Sequence, residues 1–69
     1  MEIKKRFGLA VQRTRNEAGI SQEELAMRIG GDQAYVSRIE TGQANVTLET
    51  ADLIASALNV DVTALFPKA

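Results

Sequence analysis

The segment from Gly19 to Gly42, GISQEELAMRIGGDQAYVSRIETG, constrains this chain more than any other. Ser21 is a strong N-cap and Glu24, three residues on, completes an S-x-x-E capping box, so a helix is predicted from Gln22. Leu25, Ala26 and Ile29 fall on one inward face of that helix. Gly30-Gly31 stops it, because glycine readily takes the left-handed conformation found at helix C-termini. Asp32 caps a second helix over Gln33 to Glu40, with Val36 and Ile39 inward, and Gly42 ends it. Two short helices joined by a tight glycine turn make a helix-turn-helix outline over about residues 21–41. Small Ala26 lets the second helix cross the first closely. Gln33, Ala34, Ser37 and Arg38 are left facing outward. Gln and Arg carry planar groups that bond adenine and guanine edges bidentately, although a solvated helix face accounts equally well for these four residues taken alone.

The flanking chain also reads as helices. Ile3, Phe7, Val11, Thr14 and Ala18 recur at spacings of four and three, which predicts a first helix from Met1 to Ala18 with these residues inward, ended by Gly19. Thr41 to Val46 is a polar loop. Its small side chains (Thr41, Gln43, Asn45) and free backbone N–H groups suit phosphate contacts, or an ordinary surface loop. Thr47 caps a fourth helix from Leu48 to Leu58, burying Leu48, Ala51, Ile54, Ala55 and Leu58, with Asn59 as its C-cap. Asp61 starts a last short helix, Val62 to Phe66, stopped by Pro67. The expectation is an all-α, compact five-helix single domain spanning residues 1–69. Leu9 and Leu53 lie off the core stripes, and Val60, Val62, Leu65 and Phe66 add apolar surface at the C-terminal end.

Composition excludes much else. Cys and His are both absent, so no disulfide, thiolate metal site or imidazole base is available, and neither metal nor cofactor is expected. Ser21, Ser37 and Ser56 have no His to activate them, Glu23-Glu24 sits in a helix first turn where acids are favoured anyway, and the glycines form no phosphate-binding motif. Nothing supports catalysis. No apolar run approaches the ~20 residues of a membrane span, and Lys4, Lys5 and Arg6 lead into an amphipathic segment rather than a signal peptide, so a soluble cytoplasmic protein is expected. The net charge of −1 is mildly unfavourable for nucleic-acid binding, but its distribution is uneven. Residues 1–31 carry six Lys and Arg against four acids, whereas residues 32–69 carry two against five, which suits one DNA-facing side and one opposite side.

The run SQEELAxRIGxxxxYVSRIExG resembles the Cro/C1-type (XRE, phage-repressor-like) helix-turn-helix family. The resemblance extends from Phe7 to Phe66 and implies a lambda-repressor-like fold that binds double-stranded DNA as a homodimer and regulates transcription. It places the helix Gln33–Glu40 in the major groove, with Gln33, Ala34, Ser37 and Arg38 at base edges and Ala34 suited to a thymine methyl. Backbone phosphates would be met by Ser21 and Gln22 at a helix N-terminus, by Arg28, and by Thr41, Gln43 and Asn45. Tyr35 suits the core, a phosphate or both, with a phosphate at the edge of the recognition helix favoured. The resemblance further implies an ion pair between Arg15 and Glu40. Family dimers form through the end of the fourth helix and the fifth, which points to Asn59, Val60, Val62, Leu65 and Phe66, extended by Leu53. Such a dimer reads a near-palindromic operator with half-sites roughly one turn, about 34 Å, apart.

Three departures bear on these expectations. Gly31 stands where the family usually has an aliphatic residue, Thr14 replaces a usual Leu, and few Lys or Arg beyond Arg28 and Arg38 reach the DNA side, so a shallow salt dependence is expected. The run GQANVTL, without an effector domain after it, looks most like the small autoregulating controller proteins of restriction–modification systems, with Cro-like repressors and antitoxins as rivals. A reading from a different class is a protein-interaction module, such as an antitoxin that masks a partner protein. No small-molecule ligand is expected under either reading.

Overall fold

The computed structural model describes residues 2–67. Four α-helices, α1 (Ile3–Glu17), α2 (Gln22–Ile29), α3 (Gln33–Glu40) and α4 (Leu48–Ala57), are followed by one 3₁₀ turn, Val62–Leu65. No strand occurs among the described residues. The expected fifth helix is thus only this turn. Four residues separate Asp61 from Phe66, the backbone bonds span three residues (Ala64 N–H to Asp61 O, 2.9 Å; Phe66 N–H to Thr63 O, 3.1 Å), and Pro67 cannot extend them.

Each of the later elements starts on a side-chain cap. Ser21 Oγ accepts from Glu24 N–H at 3.0 Å, Asp32 Oδ1 from Tyr35 N–H at 2.8 Å, Thr47 Oγ1 from Thr50 N–H at 3.0 Å and Asp61 Oδ1 from Thr63 N–H at 2.9 Å. The Thr63 backbone N–H, and then its hydroxyl, hold the Asp61 carboxyl below the ordinary value of 3.8. The capping box at Ser21 is only half formed, because Glu24 turns forward to Arg28 Nε at 3.0 Å instead of back to the Ser21 N–H. Gly30 ends α2 at φ 73°, where any side chain would be strained.

The core is Phe7, Ala10 and Val11 from α1, Leu25 and Ala26 from α2, Val36 and Ile39 from α3, Ala51, Ile54, Ala55 and Leu58 from α4 and its cap, and Leu65. The inward stripe of α1 therefore differs from the predicted one. Ile3 is exposed, Thr14 is half-buried and Ala18 is an exposed C-cap, while Gly8, Ala10 and Arg15 turn inward. α1 begins at Ile3 on a Glu2 cap, and Met1 lies outside the described residues. Leu48 is 81 % exposed rather than buried, since as the first residue of α4 it projects beyond the helix packing. α4 ends at Ala57, Leu58 is its cap, and Asn59 follows in the left-handed region at φ 60°.

Gly8 allows α1 to lie directly on the end of α3. A Cβ there would overlap the carbonyl oxygen of Ile39 and stand 2.7 Å from that of Glu40. At this crossing only glycine lets the two backbones meet.

Candidate nucleic-acid interface

The crossing of α1 over α3 buries two charges. Arg15 and Glu40 are 9 % and 5 % exposed, and they form a two-pronged pair: Arg15 Nε donates to Glu40 Oε2 at 2.6 Å and Nη2 donates to Oε1 at 3.1 Å. Arg15 Nη1 also donates to the Ile20 carbonyl at 2.8 Å, tying the end of α1 to the chain entering α2. Arginine's planar fork matches a carboxylate in this way, and an unpaired charge at this depth would be costly.

The pair is the root of a longer chain of contacts. Gln22 Nε2 donates to Glu40 Oε1 at 3.0 Å, and Gln33 Nε2 donates to Gln22 Oε1 at a long 3.4 Å. A buried carboxylate at the end of α3 thereby reaches, through the first residue of α2, to the first residue of α3. Gln33 and Ala34 are exposed there, Ser37 is half-buried, and Arg38 is exposed further along the same side. At the start of α2, Ser21 serves the N–H groups of Glu24 and Leu25, while those of Gln22 and Glu23 carry no bond among the described residues. Those two free donors and the Gln22 side chain lie on the side where Gln22 meets Gln33, an arrangement able to hold an anionic oxygen near the exposed Gln33 amide.

Other residues predicted to meet DNA are placed differently. Arg28 is anchored within the chain, its Nε bonding Glu24 Oε2 at 3.0 Å and its Nη1 the Ala57 carbonyl at 2.9 Å, while its side chain stays 43 % exposed. The Thr41 hydroxyl turns back to the carbonyls of Ser37 and Arg38 (3.1 and 3.3 Å), and its N–H bonds Ser37 O, so Thr41 has no donor left for a phosphate. The backbone N–H groups of Gly42 and Gln43 likewise close the end of α3, on Ile39 O and Arg38 O. The side chains of Gln43 and Asn45 are exposed. Tyr35 is half-buried, with its ring edge 3.4 Å from where a Gly31 side chain would begin, so the ring partly covers the place of the missing aliphatic residue.

At the C-terminal end, Leu65 corrects an expectation. It is 0 % exposed and belongs to the domain's own core, so it has no surface to offer a second copy. Val60 and Val62 are half-buried against that core, Leu53 and Asn59 are exposed, and Phe66 packs at 5.1 Å on Phe7 with one side open.

Two features escaped sequence reasoning. Asp32 is an exposed carboxylate at the very start of α3, beside Gln33; its capping role is legible in the sequence, whereas its exposure on the same side as Gln33 needs the fold. Gly8 gave a signal, a glycine inside a helix, whose cause needed the α1–α3 crossing. Among the described residues, no group of His, Cys, Asp and Glu is placed to hold a metal ion, and no helix is long and apolar enough to cross a membrane.

Comparison with known proteins identifies the family and the fold. The helix-turn-helix family HTH_3 matches residues 11–65. The chain is 38 % identical to the control protein C.MunI of Mycoplasma sp over 66 residues, covering 94 % of this chain and 89 % of that one. It is 37 % identical to the control protein C.SmaI of Serratia marcescens over 68 residues, covering 99 % and 81 %. Among solved structures, the restriction-modification controller protein C.AhdI of Aeromonas hydrophila superposes with a TM-score of 0.86 at 39 % identity, over 90 % of each chain.

Proposed function

The chain belongs to the HTH_3 helix-turn-helix family, of the Cro/C1 (XRE) type, and from that premise we propose that it is a sequence-specific regulator of transcription of the restriction–modification controller kind. It binds double-stranded DNA as a homodimer on a near-palindromic operator, and regulates its own promoter. The observation that carries this reading is the amide of Gln33, exposed at the start of α3 and held through Gln22 to the buried Glu40 carboxylate. A base-reading side chain needs such support, because an unrestrained glutamine loses rotamer freedom on binding.

In this reading α3 lies in the major groove. Gln33, Ala34, Ser37 and Arg38 meet base edges, while Gln22 and the free N–H groups of Gln22 and Glu23 take a phosphate. Gln43, Asn45 and Tyr35 remain candidates for further phosphate contacts. Two-fold symmetry separates the two α3 helices by about one turn of DNA, roughly 34 Å. The test is the Gln33→Ala, Arg38→Ala double variant. Both side chains are exposed, so the fold should persist by circular dichroism while sequence-specific binding is lost. Specific binding that survives the double variant would defeat the assignment.

A further inference from the structure

The cap of α3 leaves one polar atom unused. Asp32 Oδ1 accepts from the Tyr35 N–H at 2.8 Å, which turns that oxygen onto the first turn of the helix. The other carboxylate oxygen, Oδ2, makes no bond among the described residues, and Asp32 is exposed. No cation neutralises it there, since the ion pairs of the described residues are Arg15–Glu40 and Arg28–Glu24. Gly31 precedes it without a side chain to cover it, and Gln33 and Ala34, both exposed, follow.

Capping alone does not call for this second oxygen. Ser, Thr, Asn and Asp all cap well, and α2 and α4 start on the hydroxyls of Ser21 and Thr47. A hydroxyl cap has a single oxygen, which the helix takes up. Asp and Asn cap with one oxygen and keep a second polar atom beyond the helix. For Asp that atom only accepts; for Asn it only donates, because the amide oxygen must face the Tyr35 N–H. In the major groove cytosine offers the N4 donor, whereas guanine and thymine offer acceptors and adenine sets the N7 acceptor beside its N6 donor. A carboxylate oxygen therefore accepts from cytosine and is repelled by the acceptors of the other bases.

We propose that Asp32 is a specificity-determining residue: its Oδ2 accepts from the N4 amino group of a cytosine next to the base pair read by Gln33. The proposal rests on the reading of α3 as the helix that enters the major groove, where N-terminal residues approach base edges. One carboxylate then does two things at once. Oδ1 starts the helix, and that bond sets which atom is left for the base. The negative charge repels phosphates on every duplex alike, so removing it tightens binding to DNA in general. The contact itself is read in the ratio between duplexes that differ at one base pair.

Selection from random duplexes tests this, with the full chain as wild type, Gln33→Ala, Asp32→Asn and Asp32→Ser. Gln33→Ala marks the base pair that Gln33 reads, as the position whose preference disappears. At a neighbouring position wild type should prefer cytosine over guanine or thymine by about tenfold, the usual cost of one mismatched pair. Asp32→Asn should reverse that preference to guanine or thymine, because the outward atom has become a donor. Asp32→Ser should show no preference there, having no outward atom. Both variants still cap α3, so circular dichroism and the unfolding midpoint should stay at wild-type values. An Asn variant that keeps cytosine overturns the proposal, as does a Ser variant that keeps it or a change that falls elsewhere in the site. Each of these leaves the functional reading standing. Wild type that enriches no sequence defeats the functional reading and the proposal together.

Discussion

Gln22 Nε2 donates to the buried Glu40 Oε1 at 3.0 Å, and that one bond decides which way the Gln22 amide points. A carboxylate only accepts, so the amide nitrogen must face Glu40 and the amide oxygen must face Gln33. Gln33 in turn gives one N–H to Gln22 and keeps its oxygen and its second N–H for another partner. A free acceptor beside a free donor is the complement of the adenine N6 and N7 edge.

Gln22→Leu removes this orientation without adding charge. The variant should keep its fold and lose most of its preference at the base read by Gln33, a discrimination of ~1–3 kcal/mol for a bidentate contact. Selection from random duplexes reads this directly. An unchanged preference at that base would mean that Gln33 is oriented by the DNA itself.

Gly8 gives a prediction whose sign opposes helix propensity. Alanine is ordinarily better than glycine inside a helix by ~0.5–1 kcal/mol. At Gly8 the added methyl overlaps the Ile39 and Glu40 carbonyls, so Gly8→Ala should destabilise the domain by ~2–3 kcal/mol or more. Urea unfolding is the check, and a gain in stability would contradict the crossing described.

Gly31 should behave in the opposite way. Its φ is not positive, and a Cβ would meet the Tyr35 ring edge at an ordinary 3.4 Å. Gly31→Ala should therefore stabilise the fold by ~0.4–1 kcal/mol, chiefly by restricting the unfolded chain. Thermal melting should show a rise of a few degrees.

Asp32 caps α3 and places a negative charge on the face assigned to DNA. Asn caps as well as Asp. Asp32→Asn should leave the unfolding midpoint almost unchanged and tighten DNA binding about two- to fivefold at low salt, with the gain shrinking as salt rises. Titrations at several ionic strengths would show both effects.

Much of this architecture was legible in local sequence signals. Ser21, Asp32, Thr47 and Asp61 each mark an element start, and Gly30 marks the end of α2, because capping is decided by residues three or four apart. What local signals do not contain is where elements cross. Leu48 reads as core from its spacing, yet it projects beyond the packing. Leu65 reads as free apolar surface, yet it fills the core. Arg28 reads as a cation without a partner, but α2 and α4 come together so that it bonds Glu24 and the Ala57 carbonyl while staying exposed. The link from Glu40 through Gln22 to Gln33 joins residues 18 and 11 positions apart, and only the α2–α3 crossing brings them within reach.

The most direct test of the account is binding of the purified chain to the DNA upstream of its own gene, measured by gel shift against random competitor at several salt concentrations. The account predicts a retarded complex of two protomers per site that survives competitor, that Gln33→Ala with Arg38→Ala abolishes, and whose affinity falls only gently with salt because few cations face the DNA. Absence of a specific complex there, followed by failure to enrich any sequence from random duplexes, would contradict it.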